Sequence, residues 1–170
     1  MHVHMADKIS LRPITDDDQA FLFRLYASTR AEEQALVGWP DEQWDQFMRM
    51  QFSLQHTQYM QNYENPSFDV ILVEGIPAGR LYVDRKPDDF RLIDIALLPE
   101  SRSRGIAGSL IKALLGEADQ SGIPVSLHVE KHNPIRDYYL RLGFQCREDK
   151  GVYDFMVRPC AGKAPRPDEV

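Results

Sequence analysis

The residues best suited to chemistry in this chain of 170 residues lie in segment 92–115. There an apolar run ends at Pro99, and the stretch RSRGIAGS, residues 102–109, leads into a long helical pattern. A helix that begins after a strand presents unpaired backbone N–H groups and the positive end of its dipole, and small residues allow an anion to approach the main chain closely. The segment therefore predicts an anion-binding loop, and a diphosphate is the expected ligand.

The spacing within this loop excludes two common nucleotide-binding motifs. It lacks the Gly and Lys-Ser/Thr spacing of a nucleoside-triphosphate loop, and its two glycines, Gly105 and Gly108, do not fit the dinucleotide fingerprint. The Arg-x-x-Gly-x-Ala turn made by Arg102, Gly105 and Ala107 resembles instead the acyl-CoA diphosphate loop of the GNAT superfamily of N-acetyltransferases, whose pattern is Gln/Arg-x-x-Gly-x-Gly/Ala. The resemblance implies acetyl-CoA as the cosubstrate and acyl donor.

A second motif downstream resembles the same family. Asn133, Tyr139 and the pair Gly143-Phe144 correspond to the family's Asn, Tyr and Gly-Phe signature, and a buried strand is predicted directly before them. The two motifs occur in the family's order, and the resemblance covers roughly residues 8–158. It implies an α/β (α+β) fold with a mixed, mostly antiparallel central sheet of about seven strands and helices on both faces.

The resemblance also implies where the cofactor binds. In the family the fourth and fifth strands splay apart and the pantetheine arm fits between them; on this template the splay lies between residues 93–98 and 125–129, with the main chain at 97 and 98 pairing with the arm. The cofactor-binding residues implied are Leu97, Leu98, Arg102, Ser103, Arg104, Gly105, Ile106, Ala107, Gly108, Ser109, Asn133 and Tyr139.

Acetyl transfer from a thioester to an amine needs a hydrogen-bond donor for the developing oxyanion and a proton for the leaving thiolate. The resemblance places Tyr139 near the cofactor sulfur, where its phenol can protonate the thiolate. Tyr138 competes for this role, but it stands one position too far from Gly143. A backbone N–H near Leu98 is expected to polarise the carbonyl, because strand residues beside a splay have donors without a sheet partner.

The reaction also needs a general base, and the sequence leaves this role open. Asp94 lies on the strand before the loop, where family members often carry a carboxylate that faces the acceptor. An ordinary salt bridge from Asp94 to Arg91 or Arg80 is an equally good interpretation. His128 is an alternative, because imidazole titrates near neutral pH. The weaker candidates are Glu74 and Glu130.

The acceptor is expected against the connection between the first two helices and against the second helix. The predicted wall comprises Leu36, Val37, Trp39, Trp44 and Phe47, with Tyr82 across the cleft. Trp44 fits a core position, whereas Trp39, between Gly38 and Pro40, suits acceptor binding together with Tyr82, Asp94 and His128. A small primary amine is the predicted acceptor. A protein amino group is the nearest alternative, and a non-catalytic acyl-CoA-binding module is the rival from another class.

Composition limits the partners and the location. The formal net charge of −6 argues against a general nucleic-acid-binding protein, because such proteins need clustered cations. No apolar stretch is long enough to span a membrane, and the N-terminus lacks the apolar core of a signal peptide, so a cytoplasmic protein without a membrane partner is expected. Cys146 and Cys160 have no paired spacing, so neither a disulfide framework nor a metal site is predicted. The resemblance suggests a homodimer.

Periodicity predicts the elements that position these residues. One domain is expected over residues 8–158, between a disordered segment 1–7 and a loose tail 159–170. Helices are predicted from Thr15 to about Glu33, over 41–63, from the loop to Gly122, and briefly after residue 133. Strands are predicted at residues 8–14, 68–73, 78–84, 90–97, 125–129, 144–147 and 152–157.

Overall fold

The computed structural model describes residues 8–160, and over this range it contains five α-helices and one seven-stranded sheet. The helices are α1 (Gln19–Thr29), α2 (Ala31–Val37), α3 (Asp41–Gln61), α4 (Ile106–Ser121) and α5 (Ile135–Arg141). The strands are β1 (Ile9–Pro13), β2 (Pro66–Val73), β3 (Ile76–Arg85), β4 (Phe90–Leu97), β5 (Val125–Glu130), β6 (Gln145–Lys150) and β7 (Tyr153–Arg158). Two 3-10 turns span Asp16–Asp18 and Pro99–Ser101.

The strand order is β1-β2-β3-β4-β5-β7-β6. β1 runs antiparallel to β2, and β7 runs antiparallel to both β5 and β6, while β4 and β5 are parallel. The predicted mixed, mostly antiparallel sheet of about seven strands is therefore confirmed. The described residues form two compact units: one holds residues 8–82 with Asp94–Ala107, and the other holds Val83–Ile93 and residues 108–160.

The first unit is built around a helical core. α3 places Trp44, Met48 and Phe52 four residues apart, so that they fall on one face and are buried with Leu22 and Tyr26 of α1. The ring centroids of Tyr26 and Phe52 are 5.9 Å apart. This packing fixes α3, whose later turns bring Gln55 and Tyr59 to Arg80 of β3.

The helix predicted from Thr15 to about Glu33 is instead three elements. Residues 16–18 form a 3-10 turn, and the chain turns again at Arg30, whose backbone (φ −114°, ψ 11°) leaves the helical region and separates α1 from α2. The Arg30 side chain bonds the Tyr26 hydroxyl at 2.7 Å and Glu33 at 2.6 Å. Because no glycine or proline stands at this break, the sequence pattern predicted one continuous helix.

In the second unit, alternation along β5 defines a buried and an exposed side. Val125, Leu127 and Val129 are buried on one side, whereas on the other side His128 and Glu130 are exposed and only Ser126 is buried. β5 pairs with β4 only at Phe90–Val125 and Arg91–Ser126, and its remaining residues pair with β7 alone. One backbone edge of β5 is thus left without a strand partner over most of its length.

The ends of the described range complete the fold. Gly122 (φ +71°) ends α4 as predicted. Cys160 is partly buried, with its thiol 3.7 Å from the Asp119 carbonyl oxygen, so the expected loose tail does not include this residue. The predictions for segments 1–7 and 161–170 lie outside the described residues. No helix within residues 8–160 has the length and apolar character needed to cross a membrane.

Candidate active site

The end of β4 carries the backbone groups predicted to act on the acetyl carbonyl. The N–H of Leu98 donates to the Ala78 carbonyl oxygen at 2.8 Å, so this amide is part of the sheet. The prediction that the Leu98 N–H lacks a sheet partner is therefore wrong. Consecutive backbone amides along a strand point to opposite edges, so the N–H of Leu97 points away from β3. Leu97 replaces Leu98 as the candidate donor.

Two residues of the loop after β4 have a positive φ. Ser103 (φ +61°) and Gly105 (φ +78°) both adopt left-handed geometry, which is rare for serine and costly for it. Apart from its chain neighbours, no residue within 8–160 lies within 4 Å of the position that a Cβ on Gly105 would occupy, so the main chain there is open to this part of the protein. Alternating backbone conformations of this kind turn successive N–H groups toward one concave spot that suits an anion.

Arg102, predicted to bind the cofactor, makes two hydrogen bonds within the protein. Its Nε donates to the Leu97 carbonyl oxygen at 2.9 Å, and its Nη2 lies 3.5 Å from the Ser28 hydroxyl. The guanidinium therefore ties the loop back to the end of β4. The first turn of α4 contains no acidic residue, so the positive end of the helix dipole is not neutralised locally.

Within the second unit, Tyr138 lies against the first turn of α4. A Cβ built on Gly108, the third residue of α4, would lie 2.8 Å from the Tyr138 hydroxyl and 3.5 Å from its Cζ. A larger residue at this position would require the Tyr138 side chain to shift. The packing of Tyr138 thus explains why position 108 of the loop is a glycine. It also places Tyr138, the competitor of Tyr139, at the start of α4.

This contact yields a stability prediction. Gly108→Ala should lower the free energy of unfolding by about 1 kcal/mol, because the new methyl group overlaps the Tyr138 hydroxyl. In a Tyr138→Phe background the overlap is absent, and the same change should raise stability by about 0.5–1 kcal/mol through helix propensity. Urea denaturation of the four proteins measures the coupling. Equal effects of Gly108→Ala in both backgrounds would contradict the contact.

The downstream motif residues lie in and beside α5. Tyr139 is buried, with 5% of its surface exposed, and its ring centroid is 5.3 Å from that of Phe144. Asn133 uses its Oδ1 to accept the backbone N–H of Ile135 at 3.1 Å, which caps the start of α5. Asn133 therefore helps to position α5, which carries Tyr139.

Asp94 forms the salt bridge that the sequence left as an alternative. Its Oδ2 accepts a hydrogen bond from Arg80 Nε at 2.6 Å, and its side chain remains 26% exposed. Arg80 is also bonded through Nη2 to Gln55 Oε1 at 3.0 Å. Arg91 is engaged elsewhere, with Ser126 at 2.7 Å, so Arg80 is the partner.

Tyr82, expected to contact the acceptor, is fully buried. Its ring packs edge-on against Phe68 at 4.8 Å and Tyr59 at 5.6 Å. Burial raises the pKa of both Tyr82 and Tyr59. The prediction for Tyr82 is wrong, because β3 is covered along most of its length. Because Tyr82 is enclosed, it can affect the candidate site only through the residues that pack against it.

Trp39, predicted to bind the acceptor, has 40% of its surface accessible. Its ring stands edge-to-face on Phe47 at 5.5 Å and on Trp44 at 6.2 Å, and Trp44 is buried as expected of a core residue. Leu36, near the end of α2, is 88% exposed, and α2 buries none of its residues. This stretch of the first unit offers an apolar surface around Trp39.

His128 lies on β5 in the second unit. Its Nδ1 is 3.4 Å from Arg91 Nη1, and its ring centroid is 5.1 Å from that of Phe155. Partial burial, with the nearby Arg91 charge, lowers its pKa. The weaker base candidates, Glu74 and Glu130, bond the Lys8 amide and the Tyr153 hydroxyl respectively. Over residues 8–160, no cluster of three or more His, Cys, Asp or Glu residues could hold a metal ion.

Comparison with known proteins assigns the family. The sequence model of the acetyltransferase (GNAT) family matches residues 14–144, which is most of the chain. This protein belongs to the GNAT acetyltransferase family. By family it is an acyl-CoA-dependent acetyltransferase, and GNAT acetyltransferases act on amine acceptors.

Solved structures share this GNAT fold at low identity. The PaiA N-acetyltransferase of Thermoplasma acidophilum, in complex with coenzyme A, is 17% identical with a TM-score of 0.67, over 89% of this chain and 99% of that chain. An acetyltransferase of Thermus thermophilus is 19% identical with a TM-score of 0.65, over 89% and 96%. The ribosomal-protein-S18-alanine N-acetyltransferase of Escherichia coli is 16% identical with a TM-score of 0.60, over 92% and 97%.

One curated protein matches locally. The bifunctional protein FolD of Ruminiclostridium cellulolyticum is 40% identical over 72 residues, which are 40% of this chain and 25% of that protein. The chain thus spans only a quarter of the length of this relative. The match covers less of the chain than the GNAT family model does.

Proposed function

We propose that this GNAT protein transfers the acetyl group of acetyl-CoA directly to the primary amine of a small molecule in the cytoplasm. The observation that carries the proposal is the turn from β4 into α4, where left-handed Ser103 and Gly105 precede a helix of 16 residues. Its open main chain and the positive end of the helix dipole suit the diphosphate of acetyl-CoA.

The chemistry assigns one task to each of three groups. As the amine nitrogen forms its bond to the acetyl carbon, Asp94 accepts the amine proton, directly or through one water. The backbone N–H of Leu97 donates to the carbonyl oxygen while negative charge develops there. The carbon–sulfur bond then breaks, and the Tyr139 hydroxyl gives its proton to the departing thiolate.

A small acceptor is supported by the surface around Trp39. An exposed indole resting on Trp44 and Phe47 gives a flat, rigid apolar contact for the carbon skeleton that carries the amine. The net charge of −6 favours approach of a cationic amine.

The test is release of free CoA thiol from acetyl-CoA with a panel of small primary amines, run beside peptides with free N-termini or lysine side chains. We expect thiol release with at least one small amine, and an acetylated product by mass spectrometry. Acetylation of peptides alone would overturn the small-molecule assignment. Thermal stabilisation by CoA without turnover of any acceptor would indicate a binding module instead of an enzyme.

With an active amine in hand, Tyr139→Phe should lower kcat about 100-fold, because the leaving thiolate loses its proton donor. The dissociation constant for CoA, measured by calorimetry, should stay within twofold, since the phenyl ring keeps its packing against Phe144. Tyr138→Phe is the matched control, with kcat near that of the unaltered protein. An unchanged kcat in Tyr139→Phe would remove this residue from the mechanism.

A further inference from the structure

Arg80 is a buried cation on β3, with 4% of its side chain exposed. Four neighbours fix its guanidinium. Asp94 and Gln55 accept hydrogen bonds at 2.6 Å and 3.0 Å, and the rings of Tyr82 and Tyr59 lie 5.0 Å and 5.6 Å from its central carbon. A guanidinium held by two acceptors and two aromatic faces has little freedom to move.

The Asp94 carboxylate is held on one side only. Among the described residues Arg80 bonds Oδ2, and none bonds Oδ1, while about a quarter of the side chain is exposed. The carboxylate is thus fixed in orientation through one oxygen and open at the other.

The ionic cluster around Arg80 is expected to stabilise the fold less than apolar packing would. Burying a cation costs free energy that a well-packed apolar side chain avoids, and apolar replacements of buried ion pairs are often neutral or stabilising. The same cluster also leaves the buried Tyr82 hydroxyl without a hydrogen bond of ordinary geometry in the described part of the chain. Such unfavourable polar groups in the buried middle of a strand suggest a role in function.

We propose that Arg80 is a positioning residue for acetyl transfer: it anchors Asp94 through Oδ2 and so presents Oδ1 to the acceptor amine. The inference rests on the proposed function and adds to it the group that orients the base. Gln55, Tyr59 and Tyr82 hold Arg80 in place. The acceptor contacts Asp94 and has no contact with Arg80.

The test is a double-mutant cycle between Arg80→Met and Asp94→Asn, assayed with the active amine. Each single change should lower kcat for the amine about 100-fold, since misplacement of a catalytic group by about 1 Å has an effect of this size. The double variant should be no slower than Asp94→Asn, because Arg80 acts only through this carboxylate. The KM for acetyl-CoA should stay within twofold in every variant.

Two further variants separate positioning from folding. Arg80→Lys keeps the charge and one donor, so it should recover about tenfold of the activity lost in Arg80→Met. Gln55→Ala removes a support of Arg80 on the surface of α3 and should lower kcat about threefold, but only when Asp94 is present. If Arg80→Met does not fold, the kcat of Gln55→Ala, measured with Asp94 present and with Asp94→Asn, tests the positioning role instead.

The outcomes are distinct. Additive losses in the double variant, or a loss confined to the KM for acetyl-CoA, would overturn the positioning role while leaving the proposed function intact. An unchanged rate in Asp94→Asn would overturn it as well. If the unaltered protein acetylates no amine, the proposed function fails, and this inference fails with it.

Discussion

Gly105→Val is expected to weaken binding of coenzyme A at least about 100-fold. The residue has φ +78°, a conformation in which a β-branched side chain is strongly strained. The space beyond its Cα is open, so the new side chain would occupy the place proposed for the diphosphate. The backbone strain would shift the N–H groups of the loop, and the new side chain would cover them. Isothermal titration with CoA measures the change directly.

Gly75→Val is the matched control. Gly75 lies in the turn between β2 and β3, has the same φ of +78°, and likewise has nothing within 4 Å of a built Cβ. It should lose similar stability through backbone strain while keeping CoA affinity. Equal loss of affinity in the two variants would attribute the effect to general destabilisation. Unchanged affinity in Gly105→Val would refute the phosphate-loop assignment.

Gly79→Ala should destabilise the protein by about 3 kcal/mol, through overpacking at a site that cannot relax. A Cβ on Gly79 would lie 2.2 Å from the Ala96 carbonyl oxygen and 2.8 Å from Leu97 Cδ2. The first of these is backbone, so β3 and β4 would have to separate where Leu98 bonds Ala78. Urea denaturation followed by circular dichroism reports the loss.

Gly116→Ala serves as the control for adding a methyl group to a glycine. Gly116 is exposed on α4, with no atom within 4 Å of its Cβ position, so alanine should stabilise the helix by about 0.5–1 kcal/mol. A Gly79→Ala protein as stable as the unaltered one would mean that β3 and β4 do not approach as closely as described. Because Gly79 supports the end of β4, reduced activity should accompany the loss of stability.

Local patterns predicted most of the elements, because they depend on spacing within a few residues. The apolar run and the glycine after it placed β4 and α4, and Gly122 marked the end of α4. The break at Arg30 was missed, since it depends on the contacts of Arg30 with Tyr26 and Glu33 and on no helix-breaking residue.

In the candidate site, too, local patterns predicted some features, and contacts between distant residues decided others. Asp94 was found by its position before the loop, but the choice of Arg80 over Arg91 as its partner depends on which strand lies beside β4. An arginine inside the apolar stretch of β3 was a signal for the buried cluster that spacing arguments did not use. Tyr138 was set aside on its spacing to Gly143, and its approach to Gly108, 30 residues earlier, is visible only when α5 and α4 are both in place.

The sequence by itself determined the family and the order of the elements and predicted a diphosphate loop, because these depend on residue types at short, fixed separations. Tertiary structure alone decided which backbone amide of β4 is available, that Tyr82 is buried, and that one oxygen of Asp94 is anchored. The physical reason is that hydrogen bonds and burial are set by neighbours distant in the chain. Sequence periodicity predicts on which side of a strand or helix a residue lies and leaves open what it meets there.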